Sequence, residues 1–277
     1  MYSFSSRVRY SEIDEQGQLT VTSIMNYLQD CATFHGEDVG LGVDYHTARN
    51  HAWMMASYEI LIYELPKMGD RIEILTWPYQ FRGPYGFRCF EIRSPEGKLY
   101  VQADSQWFLY DTAERRPAKV TPEDCAGYQA EGDRRLDMPP FERKITAPAG
   151  SEWIPAEPVV IGRHHLDTNH HVNNAQYIEI AREAAEAEIA KREAASGRAA
   201  GGAGQTGAEQ AGAGKTAGRA ETAAPARLDA QFKKMALLGD TVYPFLHIEV
   251  DAEQPVREIT TELRDGNGEC YAIVRIR

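Results

Sequence analysis

The sequence predicts an α+β fold in which one pattern, a helix laid across an antiparallel sheet, occurs twice along 277 residues. Three observations predict it. A weak internal repeat relates RYSEIDEQGQLTVTSIMNYLQDCATF (9–34) to RHHLDTNHHVNNAQYIEIAREAAEAEI (163–189). In each copy an apolar stripe with helical period follows a short extended stretch. Each helical segment then gives way to β-rich runs, broken at matching places by Gly-Asp at 69–70 and at 239–240.

The elements follow in order. The first helix puts Ile24, Tyr27, Leu28, Cys31 and Phe34 on one face, with Thr20 placed to cap its start. Residues 53–78 then read as two strands joined at LPKMGD, and 90–110 as a hairpin around a Gly-containing turn. A Pro- and charge-rich stretch joins the halves, so the repeats are set at 1–120 and 154–277 with a linker at 121–153. The second helix puts Ile178, Ala181, Ala185 and Ile189 on one face, with Asn173 or Asn174 as its cap. Glu188 and Arg192 add a pair one turn apart, and Gly197 marks the expected stop. Residues 197–226 are mostly Gly and Ala with no large apolar side chain, so they have nothing to bury against their ordering entropy. They read as a flexible insertion. Strands at 227–250 and a hairpin at 259–277 repeat the pattern of the first half. Each half thus pairs a sheet needing cover with a helix able to cover it, and the length suits two compact units.

Composition narrows the function classes. The net charge is −11, from 30 basic and 41 acidic residues, which argues against a general nucleic-acid binder because phosphates are held mainly by Lys and Arg. The four cysteines, at 31, 89, 125 and 270, show no CxxC or zinc-ribbon spacing. No apolar run reaches the length of a spanning helix and the N-terminus lacks a signal-peptide core, so the expected setting is a reducing cytoplasm without stable membrane insertion.

The densest chemistry lies in HLDTNHHVNN (165–174). Four of the eight histidines fall between His164 and His171, immediately before the second helix. A four-histidine metal site is disfavoured because closed sites recruit Cys or carboxylates at defined spacing. His164, His165 and His170 read as surface or packing residues. If 167–171 is extended, alternation puts Asp167, Asn169 and His171 on one side.

These residues carry a resemblance. Asp167-x-Asn169-x-His171-Val172-Asn173-Asn174-x-x-Tyr177 closely resembles the D-x-N-x-H-V-N-N-x-x-Y signature of acyl-acyl-carrier-protein (acyl-ACP) thioesterases of plants and bacteria, and Glu183 matches an acidic position on the following helix. TWPYQFRGPYGFRCFEIRSPEGKLYVQADSQWFLYDTAERRPAKV (76–120) looks like that family's strand-hairpin-strand segment, with Arg88, Phe90, Gly97, Trp107, Asp111 and Arg116-Pro117 at family-like places. A helix wrapped by a curled antiparallel sheet, twice in one chain, resembles a tandem (double) hot-dog fold. The resemblance implies hydrolysis of the thioester joining a fatty acyl chain to the phosphopantetheine of acyl carrier protein, with no metal or organic cofactor.

Such a hydrolysis needs an activated water and a receiver for negative charge. His171 is the expected base, Asn169 an orienting group for water or carbonyl, and Asp167 a support for the developing imidazolium. The helix start around Asn173 and Asn174 supplies backbone N–H groups for the oxyanion. Plant members typically carry a Glu-Cys pair where alignment on Gly239-Asp240 places Met235 and Ala236, so direct attack by water is favoured, with Glu59 or His35 as candidate substitutes for the missing Glu. Trp53, Met54 and Met55 are candidate lining for an acyl tunnel. An acidic carrier protein implies basic docking residues, for which Arg82, Arg88, Arg115, Arg116, Lys119, Lys233 and Lys234 are candidates. A non-hydrolysing acyl-binding or lipid-sensing protein, and a hot-dog enzyme acting on acyl-CoA (thioesterase or hydratase), stay open as alternatives. Either a monomer or a homodimer fits, because the tandem supplies in one chain what single-domain members gain by pairing.

Overall fold

The computed structural model describes residues 1–128, 134–139, 142, 144–148, 150–200, 226–250 and 258–277. The first repeat runs β1 (Tyr2–Arg7), α1 (Val21–Asp38), a short α2 (Val43–Thr47), β2 (His51–Ile62), β3 (Arg71–Arg82), β4 (Tyr85–Arg93) and β5 (Leu99–Asp111). A two-residue β6 (Arg116–Pro117) and a single turn, α3 (Pro122–Cys125), lead out of it. The second repeat runs β7 (Ile154–Pro155), β8 (Val159–Val160), α4 (Asn174–Ala200), β9 (Ala226–Phe232), β10 (Thr241–Glu249), β11 (Glu258–Arg264) and β12 (Cys270–Ile276).

The half-sheets are not separate. Their strands follow the path β1-β3-β4-β5-β2-β9-β12-β11-β10-β7, with β6 added to β5 and β8 to β10. The order within each half is the same, and the halves meet where β2 pairs antiparallel with β9, from Ser57 opposite Gln231 to Ile62 opposite Ala226. An edge strand carries unpaired backbone groups, and here the edge of one repeat satisfies the edge of the other. The core is shared too: Leu28 and Ile24 of α1, Ile178 and Ala181 of α4, Tyr58 of β2 and Ala230 of β9 belong to one buried cluster. The expectation of two compact units is therefore replaced by two repeats with one sheet and one core.

Other differences have local causes. Phe34 is exposed and packs edge-on against Phe4, while His35 takes the inward place on α1. Helix α4 continues past Gly197, the expected stop. Most of the Gly/Ala-rich stretch expected to be a flexible insertion at 197–226 lies outside the described residues, and β9 already begins at Ala226.

The outer face of the sheet carries charge across the junction. Asp104 of β5 accepts from Arg135 at 3.0 Å, Glu59 of β2 from Arg227 at 2.9 Å, and Asp229 of β9 from Arg275 at 3.0 Å. Arg275 also pairs with Glu142 of the joining segment. That segment buries Tyr128, Met138 and Ile145, so it covers the sheet as well as spanning the repeats.

Candidate active site

The histidine-rich stretch folds as a tight turn instead of an extended strand. Leu166 and Val172 form an isolated antiparallel bridge, and between them Asp167 N–H donates to the His171 carbonyl at 2.8 Å. The Asp167 carboxylate accepts from the backbone N–H of Asn169 at 2.8 Å and of His171 at 3.3 Å. The first repeat builds the same turn from different residues. There Asp14 N–H donates to the Gln18 carbonyl at 2.8 Å, and its carboxylate accepts from the N–H of Gln16 at 3.0 Å and of Gln18 at 2.9 Å. Gly17 takes a positive φ of 76°; in the second repeat His170 occupies that left-handed position at φ 62°. The comparison separates architecture from chemistry. Asp167 does what Asp14 does, and holds the turn. What is new in the second repeat is Asn169 and His171 in place of Gln16 and Gln18.

The turn delivers the chain to α4. Asn173 is the cap, accepting the Ala175 N–H on its side chain at 2.9 Å, and its own N–H donates to the His165 carbonyl at 2.9 Å. Asn174, the first helical residue, keeps a backbone N–H without a partner among the described residues, as a helix start leaves it. Tyr177, one turn later, is buried and accepts the Ala236 N–H at 2.8 Å. It thereby ties the β9–β10 connection, with Met235, to the start of the helix.

Most of these groups, though not Asn173, line a cavity of about 660 Å³, within the range of small-molecule sites. Asp167, Asn169, His171, Asn174 and Met235 border it from the second repeat. Trp53 and Met55, expected to line a tunnel, form part of its wall from β2, as does Met54. Phe81, Phe87 and Trp107 extend that apolar wall across β3, β4 and β5. Asn169 is exposed and His171 half-buried, so the polar turn stands at the outer part of a site whose walls are aromatic. No side-chain hydrogen bond joins Asp167 to the His171 imidazole among the described residues, because the Asp167 carboxylate is engaged by the turn.

Two expected substitutes for the missing Glu are excluded by position. Glu59 points to the outer face of the sheet, where it pairs with Arg227. His35 stacks on Tyr2 and accepts from Arg88 at 3.1 Å; burial, with Arg88 beside it, lowers its pKa to about 4. Ala236 is buried and Met235 offers no acid, base or nucleophile.

The docking candidates divide. Arg82, Arg115, Arg116, Lys119 and Lys233 are exposed, and Lys233 borders the cavity opening. Lys234 is also exposed but is held by Asp265 at 2.6 Å and by Glu269. Arg88 corrects the expectation: it points from β4 into the interior and is buried, so it cannot meet a partner protein. Alternation along β4 puts Arg88 on the face of Phe90 and Ile92, which lie in the core; its charge alone had suggested the surface. Sequence reasoning also missed Tyr128 and His46, which border the cavity from the joining segment and α2. Among the described residues no cluster of His, Cys, Asp and Glu is arranged to hold a metal ion, and no helix is long and apolar enough to cross a membrane.

Comparison with known proteins gives concordant findings. Residues 1–128 match the family model of the acyl-ACP thioesterase N-terminal domain, and residues 158–196 that of the C-terminal domain. The chain is 31% identical over 202 residues to the chloroplastic oleoyl-acyl carrier protein thioesterase 1 of Arabidopsis thaliana, covering 66% of this chain and 54% of that protein. It thus spans about half the length of the curated relatives it matches. Among solved structures, an acyl-ACP thioesterase from Bacteroides thetaiotaomicron superposes with a TM-score of 0.74 at 19% identity, covering 99% of this chain and 96% of that one. The 12:0-ACP thioesterase of Umbellularia californica gives 0.73 at 14% identity, with coverages of 100% and 96%. At those identities the likeness is one of fold, the double hot-dog arrangement.

Proposed function

Because the chain belongs to the acyl-ACP thioesterase family, we propose that its cavity receives a fatty acyl chain and that the turn at its mouth hydrolyses the thioester to acyl carrier protein. The observation that carries this reading is the placement of His171 and Asn174, whose backbone N–H has no partner among the described residues, together on the border of one aromatic-walled cavity.

The chemistry follows from those positions. Water attacks the thioester carbonyl carbon as the His171 imidazole takes its proton. The carbonyl oxygen becomes an oxyanion, which the Asn174 N–H at the positive end of α4 receives. Collapse of the intermediate re-forms the carbonyl, breaks the carbon–sulfur bond, and returns the proton from His171 to sulfur. The products are a free fatty acid and the carrier thiol. Asn169, beside the turn, orients the water or the carbonyl, and Asp167 fixes the backbone from which both side chains project. With Met235 and Ala236 at the position expected for Glu-Cys, water is the nucleophile, without an acyl-enzyme on that β9–β10 connection.

The acidic carrier approaches the exposed cations, Lys233 at the cavity border with Arg82 at the end of β3 and Arg116 at the start of β6. The chain acts as a monomer, since β2 and β9 already make within it the pairing that single repeats obtain from a partner; light scattering checks this. Four free cysteines suit a reducing compartment such as the cytoplasm.

The deciding measurement is thiol release from acyl-ACP and acyl-CoA thioesters of several chain lengths. Faster release from the carrier-protein thioester is expected. Release from CoA alone would move the protein to acyl-CoA hydrolysis, and tight acyl binding without release would make it an acyl-binding protein.

A further inference from the structure

A water held for attack carries two hydrogens. His171 takes one; the other needs an acceptor too, if a lone pair of the oxygen is to point at the carbonyl carbon. Asp167 does not serve, since its carboxylate is engaged by the backbone N–H groups of Asn169 and His171. Among the described residues the cavity border holds one other carboxylate, Asp30 of α1. It comes from the first repeat and has no part in the turn.

Helix packing brings Asp30 to that turn. Thr22, near the start of α1, donates to the Glu179 carboxylate on α4. Farther along α1, Asn26, Gln29 and Asp30 border a second, polar cavity together with Asn173, the cap of α4. Later residues of α1 thus meet earlier residues of α4, so the two helices run antiparallel over the core they share. Asp30 lies eight residues past Thr22, about 12 Å along the axis, and His171 lies eight residues before Glu179. The two side chains therefore stand at the same level, one from each repeat, and both border the main cavity.

Both are also free to hold something else. Neither the Asp30 carboxylate nor the His171 imidazole makes a hydrogen bond or ion pair among the described residues. With no direct bond between them, the space they face takes a further group. Asp30 is open on the cavity side, yet the surrounding walls desolvate its carboxyl and raise its pKa, with Arg9 opposing and Glu12 adding. A carboxylate made more basic in this way accepts more strongly from water.

We propose that Asp30 is a catalytic residue of the thioester hydrolysis, holding the attacking water from the helix of the first repeat while His171 takes its proton from the second. This rests on the hydrolase reading of the cavity and adds a residue to it. The water donates one hydrogen to Asp30 and the other to His171. As its oxygen bonds to the carbonyl carbon, His171 removes one proton and later returns it to the leaving sulfur. The second proton stays on the new hydroxyl, bonded to Asp30, and goes to solvent as the fatty acid ionises. Asp30 ends the cycle as it began. The active site is then a property of the tandem, because neither repeat alone carries both groups.

Steady-state thiol release from the acyl-ACP that the unaltered full chain cleaves fastest tests this, with calorimetric binding of the free fatty acid beside it. Asp30→Asn keeps the size of the side chain and removes its charge. Its kcat should fall about 10²-fold, the order of loss that misplacing a reactant causes, with KM and fatty-acid affinity unchanged. Asp30→Glu, which restores the carboxylate, should turn over faster than Asp30→Asn. Urea unfolding would verify that both variants keep the stability of the unaltered protein. Unchanged kcat in Asp30→Asn overturns the proposal. So does a loss confined to KM or fatty-acid affinity, or an equal loss in both variants. Failure of the hydrolase reading looks different: the unaltered protein then releases no thiol from any acyl-ACP, and the role of Asp30 falls with it.

Discussion

His171 and Gln18 occupy the same position in two copies of one turn, yet only His171 can take a proton from water. The pair therefore provides an internal control. His171→Ala should lower kcat by at least about 10²-fold, the usual contribution of a positioned base, while Gln18→Ala should leave turnover unchanged; steady-state thiol release reads both. Near-normal turnover in His171→Ala would remove the imidazole from the mechanism. His170 tests the opposite claim. Its left-handed backbone costs a non-glycine residue about 1–2 kcal/mol, and Gly17 marks what the turn prefers. His170→Gly should raise stability by about 1 kcal/mol in urea unfolding, with turnover preserved. Legibility at this scale was uneven. Asp167, Asn169 and His171 were identifiable by residue type and spacing. Their conformation was not, because the extended alternation expected for them lost to a carboxylate that accepts two backbone N–H groups and closes a turn. Arg88 was misread for a related reason: a charged residue in a sequence is assigned to the surface by default, and only coordinates reveal one turned inward.

At the scale of elements, the caps and hairpins were readable because their rules are local. Thr20 accepts the Ser23 N–H and Asn173 the Ala175 N–H, as cap residues should. Gly69, Gly97, Gly239 and Gly268 all take positive φ at the turns where the repeat had placed them. Thr20→Ala should cost about 1 kcal/mol of stability and leave turnover intact, since it lies at the start of the helix without the hydrolytic turn. Tyr177→Phe should behave differently. It strands the buried Ala236 N–H, costing about 1–3 kcal/mol, and loosens the loop that carries Met235 at the cavity border, so KM should rise along with the stability loss. Phe34 shows where the local rule stops. The helical stripe was broad enough to include it, but strand β1 lies over that position and leaves it exposed against Phe4.

The whole molecule is held across its middle by the β2–β9 seam and the ionic groups outside it. Because the sheet and core are continuous, circular dichroism and tryptophan fluorescence should report a single coincident unfolding transition, and residues 1–128 alone should fail to fold stably. Two separated transitions would contradict the shared core. Within the seam, burial pushes the Glu59 carboxyl up to about 7, with Asp229 and Asp104 adding to the effect and Arg227 opposing it. A carboxyl whose folded pKa exceeds its unfolded value favours folding while protonated. That contribution is complete below about 4.5 and is lost as pH rises from there through about 7. Glu59→Gln should therefore match the unaltered protein in Tm near the acid end of that window and exceed it above the window, as thermal melts would record.

What the sequence determined by itself was the repeated pattern, its caps and turns, and the residue types crowded at 165–174, because each depends on neighbours a few positions away. The tertiary structure alone decided that two sheets are one, that Asp167 serves the turn, that Glu59 and His35 face away from the proposed chemistry, and that Arg88 lies buried in the cavity wall, bonded to His35 and Thr76. Those outcomes depend on which distant segments meet, and pairing and burial between residues far apart in the chain leave no periodic trace for a reader of the sequence.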